Sequence, residues 1–384
     1  MNMLPQRITE RLALQKAQGL HRNPPTISVR KGRKIQVAGR VLLNFASNDY
    51  LGLGSSNQLA RIVAKNFTKY GASGSSSRLV SGYYQAISEA EAALAEYFGY
   101  ESALIYPSGY QCNMGVIATL FEKGDQVFGD KHIHASSVTA VRLSGARFYG
   151  FRHNRMDHLK KRLSHKNGLP TAILCESLYS MDGDRLDLSG LAQIKQRHAP
   201  TILVDEAHAF GVLGAKGRGV ARGVADVAVG TCGKALGLFG AFVLLPSKLR
   251  EYLINFSSPL IYTTTLPEAH GASLLSILEL VAASDHKREK LQKISRAVRT
   301  HLKKAGFTVG GDAHIISVEI GSEKKAAALC ARLFEMGLFV FSARFPTVPL
   351  NKSILRISMT AEHTQADVDA LAAGIRKAKD DLGI

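Results

Sequence analysis

The chain has 384 residues, 46% of them hydrophobic, which is enough to bury a large core and excludes an intrinsically disordered polymer. Its longest apolar stretch, residues 236–245, is interrupted by Gly237 and Gly240 and is too short to span a bilayer as a helix. The net charge of +18 admits nucleic acid, an anionic surface or a polyanionic metabolite as a partner. Yet the basic residues are dispersed and not interleaved with aromatics as in a single-strand platform, so a basic soluble surface is the preferred reading.

The first seven residues, Met1 to Arg7, carry no apolar core followed by a small-residue cleavage site, so a cytoplasmic protein is expected. Residues 1–40 read as an amphipathic helical start followed by a basic, proline-containing connector. Short apolar runs then recur at 103–106, 126–128, 172–174, 201–204, 227–229 and 241–244. Each is bounded by Gly, Pro, Asp or Ser, and helix-like polar patterns separate them. Continuous rather than alternating apolar runs suit strands covered on both faces, hence a mainly parallel sheet in an α/β fold.

From Ala269 a single long helical pattern runs to about Lys304. Beyond it, runs at 315–320, 338–340 and 354–357 mark a smaller α/β region. The expected division is a helical segment and connector at 1–45, a large domain at 46–285 and a small one at 286–384. Cys112, Cys175, Cys232 and Cys330 are widely spaced with no C-x-x-C pair, which argues for reduced thiols rather than disulfides or zinc.

The run at 201–204 ends in Asp205-Glu206-Ala207-His208. Ligands of open α/β sheets bind at the carboxyl ends of strands, so Asp205 and His208 should face the crevice. The letters D-E-A-H also occur in nucleic-acid helicases, but that reading needs a phosphate loop of the form G-x-x-x-x-G-K-[ST]. Around Gly233-Lys234, Ala228 replaces the first glycine and Ala235 the hydroxyl, and the helicase reading fails.

Lys234 instead follows a buried strand among small residues, where desolvation frees an amine to attack an aldehyde. A lone Gly-Lys pair would be an ordinary loop. Asp205 changes that, because a carboxylate is what a pyridoxal ring needs to keep its nitrogen protonated. Ser108, Gly109 and Tyr110 follow the run at 103–106 and open a helix, a natural seat for phosphate. His132 and His134 form an H-x-H with no third ligand at plausible spacing, so no metal is expected.

With these residues in place, the chain resembles the α-oxoamine synthase family of fold-type I pyridoxal-phosphate enzymes, from about residue 20 to its end. The carrying segments are N-F-A-S-N-D-Y-L-G-L at 44–53, S-R-L-V-S-G at 77–82, E-S-L-Y-S-M-D-G-D at 176–184 and D-E-A-H at 205–208. L-I-Y-T-T-T-L-P at 260–267 and R-F-P-T-V-P at 344–349 complete the set.

The resemblance implies that Lys234 binds pyridoxal 5′-phosphate as a Schiff base and that Asp205 pairs with the ring nitrogen. It places His208 at the ring oxygen, Ser180 at the ring oxygen or the substrate, and His134 on the ring face. Phosphate would be held by Ser108, Gly109, Tyr110 and Thr231, and by Thr263 and Thr264 from a partner subunit, which implies a homodimer with shared sites. Asn48 and Arg356 resemble the positions that take the amino-acid carboxylate. Arg344 and Thr347 match a loop near the substrate, and either His21 or Arg22 falls at a thioester-binding position.

The implied reaction is decarboxylative condensation of L-alanine with a pimeloyl thioester, on coenzyme A or acyl carrier protein, in biotin synthesis. Sister activities share Lys234, Asp205 and His208: glycine C-acetyltransferase, 5-aminolevulinate synthase and serine palmitoyltransferase. A nucleic-acid-binding protein is the reading from another class.

Overall fold

The structure is a computed structural model that describes residues 3–164 and 171–383. The chain falls into two compact units. One comprises Met1–Asn48, Met181–Asp184 and Lys290–Ile384; the other comprises Asp49–Ser180 and Arg185–Glu289. In chain order the strands are β1 (Ile27–Lys31), β2 (Lys34–Val37), β3 (Arg40–Asn44), β4 (Ser102–Tyr106), β5 (Gln126–Asp130), β6 (Arg147–Phe151), β7 (Thr171–Glu176) and β8 (Thr201–Asp205). They continue with β9 (Val227–Thr231), β10 (Ala241–Leu245), β11 (Val309–Gly310), β12 (Ile315–Gly321), β13 (Leu338–Phe339), β14 (Phe341–Ala343) and β15 (Ser353–Ser358).

The larger unit is built on a seven-stranded sheet of order β4-β10-β9-β8-β7-β5-β6. It is parallel from β9 to β6, and β10 runs antiparallel to both of its neighbours. Alternate residues of each strand feed two separate apolar clusters. Leu203 and Leu174 join one with Val116 and Val229, while Ile202, Val204 and Ile173 join the other with Leu159 and Ile194. Both faces are therefore covered, which is why these runs are continuously apolar. Each fully buried Leu, Ile or Val contributes about 1.5–3 kcal/mol of transfer free energy. The six expected runs are all strands. The exposed edge strand β6 escaped the sequence reading because its burial is one-sided and weak.

Two sequence expectations need correction. The basic connector contains the hairpins of β1, β2 and β3, paired antiparallel. Ala38 and Gly39 turn between β2 and β3 with φ of 48° and 78°, the doubly left-handed two-residue turn that matches strand twist. Lysines and arginines on these strands obscured their alternation. The helical pattern after Ala269 is not continuous either: it forms Glu268–Ala282 and Asp285–Lys304. Arg288, buried, donates to the carbonyls of Val281 and Ala282 and to Asp285. It thereby satisfies the open end of the first helix, where the backbone would otherwise continue.

In the smaller unit, β13 joins β3 in one four-stranded sheet, and β11-β12-β15-β14 form another. Residues 27–44 and Leu338–Phe339 thus share a sheet. The N-terminal helix Met3–Ala17 buries none of its residues. No helix among the described residues is long and apolar enough to cross a membrane.

Candidate active site

In the larger unit, β7 and β8 end side by side, with Glu176 and Asp205 as register partners. Asp205 is oriented from two directions. Asn113 Nδ2 donates to its Oδ2 at 3.0 Å, and the Ala207 amide donates to Oδ1 at 2.9 Å. Glu206 turns the other way and is buried, accepting from the amides of Val220 and Ala221. That burial pushes its carboxyl above the usual range. The D-E-A-H run therefore divides its labour: Glu206 anchors the chain while Asp205 is presented.

His208 is clamped between two partners. Tyr50 Oη lies 2.6 Å from its Nδ1, and Lys234 Nζ lies 2.9 Å from its Nε2. Lys234 sits in a tight loop after β9, closed by hydrogen bonds from Cys232 to Gly240 and from Gly237 to Lys234. Gly237 has φ of 76°, and its Cα is so close to Gly54 that no β-carbon fits. The lysine is half-buried rather than sealed.

The helix Gly109–Leu120 begins beside this group, with Ser108 capping it by accepting from the Gln111 amide. A β-carbon on Gly109 would lie 4.0 Å from Thr231 Cβ, so the open helix amides and the Thr231 hydroxyl are neighbours. Thr231 Oγ1 donates to Gly240 O and accepts from the Gly233 amide. Unshared amides at a helix start attract an anion. Tyr110, next in line, is exposed.

His134 caps the helix Ala135–Ser144 through its Nδ1, which contacts the Ser136 hydroxyl at 2.7 Å. It keeps an exposed ring although crowded by protein. That desolvation lowers its pKa; the Asp205 charge opposes the shift and the Lys234 charge adds to it. His132 turns elsewhere and stacks on His153 with ring centroids 4.0 Å apart, so the two imidazoles of the H-x-H have different partners. Ser180 is half-buried, and its amide donates to Glu176 Oε2. Thr264 pairs with Ser77, and Thr263 donates to the Thr264 carbonyl. Both threonines therefore belong to the rim segment rather than to the Lys234 group.

The remaining candidates lie in the smaller unit. Arg356 is buried; its Nη2 donates to Asn48 Oδ1 at 3.3 Å and its Nη1 to Ser358 Oγ at 2.6 Å. Arg344 donates to the Gly19 carbonyl, and Thr347 is exposed, its amide donating to the Arg344 carbonyl. His21 and Arg22 are both exposed.

Sequence reasoning missed Tyr50, Asn113, Ser136 and Glu176 as members of the cluster around Asp205 and Lys234. Asn113 stands one helical turn beyond Gly109, a spacing that could have placed it on the same face. Tyr50 carried no such signal, because only the fold brings it against His208. A carboxylate, an amine, an imidazole face and an anion seat converge here. That donor set fits a planar heteroaromatic cation bearing an aldehyde and a phosphate.

Fold and site together define a fold-type I α/β transferase. The family model for aminotransferase class I and II matches residues 40–375, and the chain belongs to that family. It is similar to the 8-amino-7-oxononanoate synthase of Stutzerimonas stutzeri (strain A1501), 38% identical over 371 residues, covering 95% of this chain and 94% of that one. Among solved structures it is similar to a serine palmitoyltransferase from S. paucimobilis with a bound PLP–myriocin aldimine. The TM-score is 0.93 at 28% identity, and both chains are covered completely (100%). It is also similar to the 8-amino-7-oxononanoate synthase of Francisella tularensis, with a TM-score of 0.78 at 29% identity, covering 89% of this chain and 99% of that one.

Proposed function

We propose that this enzyme is a pyridoxal-phosphate-dependent acyltransferase that condenses L-alanine with a pimeloyl thioester to give 8-amino-7-oxononanoate, CO2 and the free thiol carrier, a step of biotin synthesis. The observation that carries the reading is the Lys234–His208–Tyr50 line set beside Asp205 and Asn113. Sequence identity of 36–41% to chains named for this synthase supports the choice of substrates. When bound, pyridoxal phosphate supplies an aldehyde for exchange with amines and a ring that stabilises negative charge on carbon.

The chain's own groups divide the remaining work. Asp205, held by Asn113 and the Ala207 amide, keeps a proton on the ring nitrogen. His134 covers one ring face and excludes water from it. The amides of Gly109 and Tyr110, with Ser108 and Thr231, hold the phosphate. Lys234 Nζ would hold the cofactor aldehyde and, as a free amine, would take the proton from the substrate α-carbon, a transfer worth about 10²–10⁴-fold in rate. His208 and Ser180 orient the ring oxygen. Arg356, pre-set by Asn48 and Ser358, grips the amino-acid carboxylate through two parallel hydrogen bonds. Arg344 and Thr347 line the acyl side, and His21 or Arg22 meets the thioester carrier, whose negative charge suits a chain of net charge +18.

A homodimer with shared sites is part of this proposal. Val80, Tyr262, Phe239 and Leu79 are 81%, 83%, 65% and 56% exposed. All belong to the rim where Ser77 pairs with Thr264 or to the loop that carries Lys234. Large apolar side chains so placed mark an interaction surface, from which Thr263 and Thr264 would reach a partner's phosphate.

The full-length likeness to serine palmitoyltransferase favours a sister activity as the second reading. Absorbance of the purified protein with pyridoxal phosphate tests both. A visible band that shifts with L-alanine, and product formation with pimeloyl-CoA, support the synthase. A response to L-serine or glycine in place of L-alanine moves the assignment to a sister enzyme. No band removes the cofactor reading altogether.

A further inference from the structure

The contact by which Asn113 holds Asp205 is the first link of a longer buried polar chain, whose continuation through Ser136 to His134 has no role in the mechanism above. Asn113 is 2% exposed and Ser136 is fully buried (0%). One amide nitrogen, Asn113 Nδ2, donates both to Asp205 Oδ2 and to Ser136 Oγ, each at 3.0 Å. Ser136 Oγ in turn lies 2.7 Å from His134 Nδ1, and the Ser136 backbone amide donates to the same nitrogen at 3.3 Å.

The direction of every bond in this chain follows from its ends. Asp205 as a carboxylate has only acceptors, so Asn113 must turn its NH2 group toward it, leaving Asn113 Oδ1 buried without a partner. The second amide hydrogen then occupies one of the two lone pairs of Ser136 Oγ, leaving its hydroxyl proton available for His134 Nδ1, which already accepts from the Ser136 backbone amide. The Ser136 backbone amide can only donate. Two donors therefore converge on His134 Nδ1, and that nitrogen cannot carry a proton. The imidazole is neutral with its hydrogen on Nε2, on the side away from Ser136.

We infer that Asn113 and Ser136 are positioning residues that hold His134 as the neutral Nε2–H tautomer and tie the ring-covering histidine to the carboxylate of Asp205. The importance of this link to turnover rests on the cofactor reading above; the tautomer itself is a property of the chain alone. A fixed tautomer presents one N–H donor toward whatever lies over the ring. Two cofactor contacts on different elements, the end of β8 and the start of the helix Ala135–Ser144, are thus locked to one helix, Gly109–Leu120. That same helix opens the phosphate seat, so ring nitrogen, ring face and phosphate are all registered to it. The shift of His134 agrees in direction, since crowding depresses its pKa.

The test is nitrogen NMR of histidine-labelled, cofactor-free protein, with His134 assigned from a His134→Asn sample. The expected spectrum has an unprotonated Nδ1 and a protonated Nε2 at neutral pH. Ser136→Ala removes one oxygen and little volume. It should mix the two tautomers and raise the His134 titration midpoint toward the ordinary value, with kcat falling about 10–100-fold, as for loss of an orienting partner behind a ligand. Asn113→Ala should act on the same signal, and the double variant should add little to either single one. A proton on Nδ1 in the wild type overturns the proposal, as does an unchanged His134 signal in Ser136→Ala, or full additivity. Failure of pyridoxal phosphate to bind would sink the cofactor reading only, because the NMR signal is read without it.

Discussion

Glu176 and Asp205 stand opposite one another in register at the ends of β7 and β8. Two neighbouring carboxyls at the edge of a covered sheet each make ionisation of the other more costly. Burial first, and the Asp205 charge second, push the Glu176 carboxyl well above its ordinary range. The Lys234 charge and the amides of Ser180 and His134 only partly oppose this. Glu176 is therefore the member whose surroundings disfavour the charged form, while Asn113 and the Ala207 amide address Asp205.

A pH dependence of stability follows from that assignment. A carboxyl with a raised folded pKa contributes stability that is complete below its unfolded pKa and is lost as pH rises toward the folded value. Glu176→Gln mimics the protonated form and has no such loss. Thermal unfolding of the cofactor-free protein between about pH 5 and 8 should show wild type losing ground to the variant by up to about 1.4 kcal/mol per pH unit. Parallel curves would show that Glu176 is ionised in the fold.

Lys234→Ala should abolish turnover and covalent retention of pyridoxal phosphate after borohydride reduction, read as the cofactor's mass on the denatured chain. Cofactor still bound non-covalently to the variant would agree with the phosphate seat proposed at Ser108, Gly109 and Thr231. Turnover like that of wild type would remove Lys234 from the mechanism.

Arg356→Lys keeps the charge but loses the planar fork that Asn48 and Ser358 orient. Charged hydrogen bonds of this kind contribute about 1.5–3 kcal/mol. The variant should raise KM for the amino acid about 10–100-fold while leaving KM for the thioester near its wild-type value. Equal effects on both substrates would argue for a structural role.

Gly230→Ala probes the core behind the site. Gly230 pairs with Phe242 across β9 and β10, and the rings of Phe98, Phe210 and Phe242 close over it. An added β-carbon would collide with Phe242 and Phe210, destabilising the protein by about 1–3 kcal/mol. Denaturant unfolding measures this directly, and an unchanged midpoint would mean the aromatic cluster yields.

Tyr262→Lys combined with Val80→Lys places two charges on the exposed apolar rim. On the proposed shared-site homodimer, sedimentation should show dissociation to monomer, with weaker pyridoxal phosphate binding because Thr263 and Thr264 would no longer reach a partner. A monomeric wild type would overturn the shared-site arrangement.

The strands of the main sheet were legible in the sequence because burial on both faces writes itself as a continuous apolar run, independent of what packs against it. That Asp205, His208 and Lys234 stand at the ends of such runs was legible for a related reason, since ligands of open α/β sheets meet the carboxyl ends of the strands. The hairpins of β1 to β3 were hidden because basic residues on exposed faces carry no periodic signal. The break before Asp285 was hidden because the helix end is satisfied by the Arg288 side chain, and an arginine in a helical pattern carries no stop signal of its own.

Tertiary structure alone decided which groups hold the functional ones. Tyr50 against His208, Asn113 against Asp205 and Glu176 opposite Asp205 are pairings between residues up to 158 positions apart. No spacing rule in one dimension records them. Residue types at strand ends were set by chemistry, and so could be read locally. Hydrogen-bond partners, protonation and tautomer depend on direction and distance in the fold, and only the folded chain supplies those.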